Sequence, residues 1–187
     1  GSRISKQYQD IPKALIPING KTIFQIQKHA FEKNNISELI VIVGSENNFE
    51  ESNIKYIQDY ENDKHDILGS LMVGKEHIHD ELIISYSDIL FEEKIIHELI
   101  KTPGDVVIAI DLNWKKEYVG RTDHPYSEAE NVLLNEKNEI LKIAKNIKTK
   151  NYKIGEFLGL IKMTKKGLKL FLEKIKQLQK NHTGKFH

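Results

Sequence analysis

Asp88 stands where a side chain can do chemistry. It follows the apolar run Leu82-Ile83-Ile84 at the carboxyl end of a predicted strand, the end at which open α/β sheets bind their ligands. A carboxylate there offers the hard oxygen that divalent cations take. The competing reading is a cap on the turn before a helix at Glu92. A second group opens the chain: Gly1-Ser2-Arg3-Ile4, then Ile11-Pro12-Lys13-Ala14-Leu15-Ile16-Pro17-Ile18-Asn19-Gly20-Lys21. Taken singly, Arg3 and Lys13 are ordinary surface cations. Small residues, two prolines and two cations at this joint spacing suit contact with an anion, because backbone N–H groups can then approach phosphate oxygens. A third group mixes cationic, acidic and aromatic side chains: Trp114, Tyr118 and Arg121-Thr122-Asp123-His124-Pro125-Tyr126-Ser127-Glu128-Ala129-Glu130. Each of these, alone, also reads as a residue of a solvated loop.

The elements that must position these groups follow from periodicity. The run over 38–44 (Glu-Leu-Ile-Val-Ile-Val-Gly) is β-branched, apolar and closed by Gly, as expected of a strand buried on both faces. Runs over 54–58, 81–85 and 105–111 resemble it. Ile23, Ile26, Gln27, Ala30 and Phe31 share one helical face, and Ile95, Ile96, Leu99 and Ile100 share another. Alternating strands and helices predict an α/β fold, a Rossmann-like, mainly parallel sheet flanked by helices. After Asp111 comes a polar connection over 112–128. Segments 131–134 and 140–144, around Asn135-Glu136-Lys137-Asn138, then predict an antiparallel insertion. A further strand is expected over 155–163, with Thr164 capping a helix that carries Leu168, Phe171, Leu172, Ile175 and Leu178.

The 187 residues, 39% of them hydrophobic, suffice for one domain and not two. Lys and Arg number 28 against 27 Asp and Glu, so bulk charge provides no surface for nucleic acid or membrane, and any anion must be held locally. The chain has no Cys, which excludes disulfides and thiolate metal sites, and no apolar run approaches a membrane span. A cytoplasmic protein is expected. His77 and His79 lie among charged residues and read as solvated rather than as zinc ligands. No strand precedes Arg3 and none closes the polar tail over 181–187, so residues 1–187 are expected to be a single domain truncated at both ends. Loss of a central strand exposes apolar surface and unpaired backbone groups, which predicts marginal folding.

The opening loop with its Pro-Lys-x-Leu-x-Pro segment resembles the signature of the nucleotidyltransferases, of nucleotide-diphospho-sugar transferase-like fold. The resemblance implies that Gly1, Ser2, Arg3 and Lys13 contact the triphosphate, with Arg3 and Lys13 stabilising the departing pyrophosphate. The strand and half-loop that normally read Leu-Ala-Ala-Gly and help hold the base are absent. His65-Asp66-Ile67-Leu68-Gly69-Ser70-Leu71 resembles the family's Asn-Asn-x-x-Ser-Leu helix start beside the nucleotide, implicating Asp66 and Ser70; Ser70 either caps that helix or touches the nucleotide. Ser85-Tyr86-Ser87-Asp88 looks like the strand-end motif whose Asp ligates catalytic Mg²⁺.

The Asp105-to-Asp111 strand, Trp114, Arg121, His124-Pro125 and Glu128-Ala129-Glu130 resemble the phosphonate branch of the cytidylyltransferases. That branch includes 2-aminoethylphosphonate cytidylyltransferase and the transferase domains fused to phosphoenolpyruvate mutase. Gly155-Glu156-Phe157-Leu158-Gly159 matches the element that follows there. The resemblance implies CTP and a small phosphonate or phosphate acceptor as partners. Trp114, Arg121, His124, Glu128, Glu130, Lys145 and Glu156 would form the acceptor side, and a fusion or association with a mutase or a homodimer would be in keeping. Arg121 with His124 would face the phosphonate, and Glu128 or Glu130 an ammonium. The family's second metal carboxylate is not in this chain. Three alternatives stay open: a phosphocholine cytidylyltransferase using Trp114 and Tyr118 as an aromatic cage, a sugar-phosphate nucleotidyltransferase, and an inactive nucleotide-binding homologue or incomplete gene product.

Overall fold

A computed structural model describes residues 11–44, 49, 51–64, 66–121 and 125–181. The opening elements follow from local turn chemistry. Asn19 and Gly20 both take positive φ, 51° and 83°, the combination that a two-residue hairpin loop requires. It joins β1 (Pro17–Ile18) to β2 (Lys21–Thr22). Thr22 then caps α1 (Ile23–Lys33) in a reciprocal box with Gln25, satisfying two backbone donors that a helix start leaves unpaired. β3 (Ile40–Val43) and β4 (Lys55–Gln58) pair in parallel, Ile40 opposite Lys55 through Val43 opposite Gln58. There follow α2 (Ile67–Val73), β5 (Leu82–Ser85), α3 (Glu93–Lys101), β6 (Val106–Asp111), β7 (Glu130–Leu134), β8 (Ile140–Lys145), β9 (Lys153–Met163) and α4 (Lys165–Asn181).

The predicted α/β class and the flanking helices are present, but the sheet is mixed rather than mainly parallel in its pairings. Among the described residues only β3 and β4 pair in parallel. β5 and β6 do run in the same direction, as a strand–helix–strand unit demands, but each pairs antiparallel with β9, which lies between them. β6 occupies one edge of β9 from Glu156 to Met163. The other edge is shared: β5 takes residues 160–163 and β7 takes residues 153–156. Residues 157 and 158 of β9 therefore face a gap between β5 and β7. β8 continues the sheet outward from β7.

The main core is formed where α1 and α3 cover the sheet. Ala30, Phe31, Ile96, Leu99 and Leu160 are buried there, with Ile83, Val107 and Ala109 packed against them. Each large apolar side chain so buried contributes ~1.5–3 kcal/mol. Lys162, also buried, donates from Nζ to the carbonyls of Ile100 and Thr102 at 3.2 and 2.5 Å, satisfying acceptors that the end of α3 leaves open. Thr164 caps α4 as expected, its Oγ1 accepting from the Gly167 N–H at 3.1 Å. A Cβ at Gly167 would lie 1.9 Å from the Asp105 carbonyl, so only glycine lets α4 approach β6 this closely. No helix among the described residues is long and apolar enough to cross a membrane.

Candidate functional site

Two of the three residues singled out for catalysis meet in space. A 3₁₀ turn over Lys13–Leu15 anchors itself through buried Ala14 and presents Lys13 outward. Its Nζ lies 2.6 Å from Asp88 Oδ2, with side-chain exposures of 50% and 36%. A pair this exposed is worth at most about 1 kcal/mol, so an incoming ligand can reorganise it at small cost. Arg3, Gly1 and Ser2 lie outside the described residues.

Asp88 sits on the loop after β5, beside the gap on β9. The Tyr86 N–H donates to the Gly159 carbonyl at 2.9 Å, and the Tyr86 ring meets Phe157 edge-on, with centroids 5.7 Å apart. Gly159 has φ +82°, and a Cβ there would stand 2.8 Å from the Tyr86 ring. Glycine is thus required both by the backbone and by the tyrosine. Burial first, and then the negative charges of Glu130 and Asp88, raise the Tyr86 pKa. The phenol stays neutral, and both carboxylates bear on it. Lys145 is the cross-strand partner of Glu130, so its side chain stands beside that carboxylate on the same face of the sheet.

A second concavity of about 360 Å³ opens at the carboxyl ends of the parallel pair β3–β4, lined in part by Gly44, Asp59, Asn62, Asp66 and Ser70. Asp66 caps α2, its carboxylate accepting from the Leu68 and Gly69 N–H groups at 3.0 and 3.1 Å. Ser70 does not cap this helix. It lies a turn further in, and its hydroxyl donates to Asp59 Oδ2 at 2.9 Å. Asp66 supplies the cap because it stands immediately before the first helical residue, where a side-chain oxygen reaches the first unpaired donors.

Glu156, Trp114 and Arg121 fall with the opposite face. Asn131 and Asp111 both register with Glu156, one residue out of step with Glu130, and successive strand residues point to opposite faces. Tyr118 donates its hydroxyl to Glu156 Oε1. Burial, then that bond, push the phenol up to about 12. Trp114 is 1% exposed, donates from Nε1 to the Ile154 carbonyl at 3.2 Å, and is stacked by Tyr126 at 4.7 Å. The expected open cage is therefore closed: Tyr126 covers the indole that a quaternary ammonium would need. Arg121 places its guanidinium 5.0 Å above the Tyr118 ring. Glu128 is exposed in the turn Tyr126–Glu128, and His124 lies outside the described residues.

Among the described residues no three His, Asp or Glu side chains converge to cage a metal. A closed structural site is not what Mg²⁺ asks for; it binds through one or two carboxylates plus substrate phosphates. Asp88, half open and hard in its oxygen chemistry, fits that donor set. Sequence reasoning missed Gln27, Asp59 and Tyr86 as members of this region. Gln27 alone left a signal, an uncharged polar residue on an otherwise apolar helical stripe.

Comparison with known proteins gives a consistent picture. The model of the MobA-like NTP transferase domain family matches residues 1–143. A CTP:phosphoglutamine cytidylyltransferase from Campylobacter jejuni is 24% identical over 179 residues, covering 88% of this chain and 69% of that protein. A bifunctional sugar-1-phosphate nucleotidylyltransferase/acetyltransferase from Sulfurisphaera tokodaii is 30% identical over 121 residues, 63% of this chain but 30% of the relative. In fold, the chain superposes on the inositol-1-phosphate CTP transferase of T. maritima with a TM-score of 0.69 at 17% identity, covering 99% of this chain and 72% of that one. The shared architecture is the nucleotide-diphospho-sugar transferase-like α/β fold.

Proposed function

We propose a specific reaction on the premise that the chain belongs to the MobA-like NTP transferase domain family and is an enzyme, a nucleotidyltransferase: it transfers CMP from CTP to a small acceptor that carries both a phosphonate or phosphate and a cationic group. The observation that carries this reading is the Lys13–Asp88 contact of 2.6 Å, which sets a cation and a hard carboxylate side by side at a strand end. Use of CTP is supported by two relatives of the chain, the phosphoglutamine and inositol-1-phosphate enzymes.

An acceptor oxygen attacks the α-phosphorus of CTP in line, the bond to the β-phosphate oxygen breaks, and pyrophosphate leaves with that electron pair. No covalent enzyme intermediate is required, so the protein's work is positioning and charge neutralisation. Lys13 and Arg3 take the triphosphate and the charge that builds on the departing pyrophosphate. Mg²⁺, held by Asp88 and phosphate oxygens, would neutralise polyphosphate charge. Asp66 and Ser70 border the concavity at the end of β3 and β4, which suits the nucleoside part of CTP.

Glu130 and Lys145, adjacent on the face shared with Tyr86, offer one charge of each sign, as a zwitterionic acceptor such as 2-aminoethylphosphonate requires. Arg121 and Glu156 stand with the closed aromatic cluster and are left out of this acceptor set. The enclosed Trp114 argues against phosphocholine. A second acceptor is favoured by the Campylobacter relative: phosphoglutamine likewise joins a phosphoryl group to an amino acid.

Pyrophosphate release, measured with CTP, UTP and GTP against aminoethylphosphonate, phosphoglutamine, phosphocholine and a sugar 1-phosphate, tests the proposal. Turnover is expected with CTP and one of the first two acceptors, and Asp88→Ala should lower it ~10²–10³-fold. Turnover confined to a sugar 1-phosphate, or CTP binding without release for any acceptor, would overturn it.

A further inference from the structure

We propose that Gln27 is a positioning residue that holds the loop carrying Asp88 at its working distance from Lys13. The inference rests on the reading of Asp88 given above. Gln27 is 4% exposed in the middle of α1. Its Nε2 donates to the Tyr86 carbonyl at 2.9 Å and to the Ile89 carbonyl at 2.7 Å. These two acceptors bracket Ser87 and Asp88, so one amide group closes the loop like a staple. A primary amide carries two N–H donors on one nitrogen, and both are used here.

The same helix fixes the other partner. The N–H of Ile23, its first residue, donates to the Ile16 carbonyl at 3.2 Å, and the Ile16 N–H in turn donates to the Lys13 carbonyl at 3.1 Å. One rigid element of eleven residues thus carries, near its start, the tether to the Lys13 turn and, one turn later, the tether to the Asp88 loop. The separation of two exposed charges, 75 residues apart in the chain, is set by α1 rather than by their own weak attraction. Placement of reacting groups to within a fraction of an ångström is what positioning catalysis demands.

Gln27→Met keeps the volume and removes both donors; Gln27→His keeps one. With the full chain, Mn²⁺ binding in the presence of CTP is followed by electron paramagnetic resonance, CTP binding without metal by calorimetry, and amide exchange over residues 86–89 by mass spectrometry. Gln27→Met should exchange faster at this loop and bind Mn²⁺ roughly tenfold more weakly, with metal-free CTP binding unchanged and Gln27→His intermediate. If Gln27→Met fails to melt cooperatively, the milder Gln27→His decides. In the unaltered chain the Gln27 side-chain amide protons should exchange slowly; rapid exchange overturns the proposal. Wild-type Mn²⁺ binding in both Gln27 variants, where Asp88→Ala abolishes it, sinks the positioning role and leaves Asp88 standing. Wild-type Mn²⁺ binding in Asp88→Ala places the failure in the reading of Asp88 instead.

Discussion

The two faces of the sheet built by the start of β9, β7 and β8 carry opposite designs. On one, Glu130 and Lys145 stand exposed as cross-strand partners, and the charge of Glu130, like that of Asp88, bears on Tyr86. On the other, Trp114, Tyr118 and Ala129 form a closed cluster with Ile154 packed against it, and the carboxylate of Glu156 is taken by Tyr118. All of these residues look equally eligible in the sequence, and a shift of one position along a strand decides which face each joins. The difference teaches that charge at an open face is available for a ligand, whereas charge under an aromatic cover is committed to the fold.

Substitutions on each face can break that contrast. Trp114→Ala should cost the most, ~3–5 kcal/mol in urea denaturation, while the fraction that remains folded keeps its KM for the acceptor; a large change in KM with intact stability would return Trp114 to the site. Gly159→Ala, which places a methyl against Tyr86 at positive φ, should cost about 2 kcal/mol and lower turnover as Tyr86 and its loop shift. Glu130→Gln is expected to raise the acceptor KM about tenfold while Glu156→Gln moves it less than about twofold. Equal effects in steady-state kinetics would dissolve the distinction between faces.

Tyr118→Phe should be the mildest, ~1 kcal/mol at neutral pH, with a signature in alkali. Its phenol is held at about 12 in the folded protein, against ~10 in an unfolded chain. Between those values the unfolded state loses the proton and the folded state retains it, so stability falls as pH rises through that window. The variant should flatten this part of the profile, and an unchanged alkaline slope would show that Tyr118 is not committed to Glu156 as described.

Much of the fold was legible because its signals are local. The apolar runs became β3, β4, β5, β6 and β9, the Asn135–Asn138 turn became the β7–β8 hairpin, and Thr164 took up its cap. The insertion of β9 between β5 and β6 was not legible, since nothing within a strand states which distant strand will lie beside it. Of the two roles open to Ser70, the cap falls to Asp66 for a related reason: the helix begins at Ile67, which puts Asp66 in the capping position. Gln27 carried a usable hint, because a polar side chain on a core-facing stripe needs buried partners. Those partners proved to lie 59 and 62 residues away.

By itself, the sequence determined which chemical groups exist and which short elements hold them, because turn preferences, caps and hydrophobic periodicity act over a few neighbouring residues. Tertiary structure alone decided that Lys13 meets Asp88, that Glu130 and Glu156 part company across a sheet, and that Gln27 staples a loop. Each of those outcomes depends on strand register and helix docking between segments far apart in the chain, where the energy is shared among many contacts and no single residue announces it.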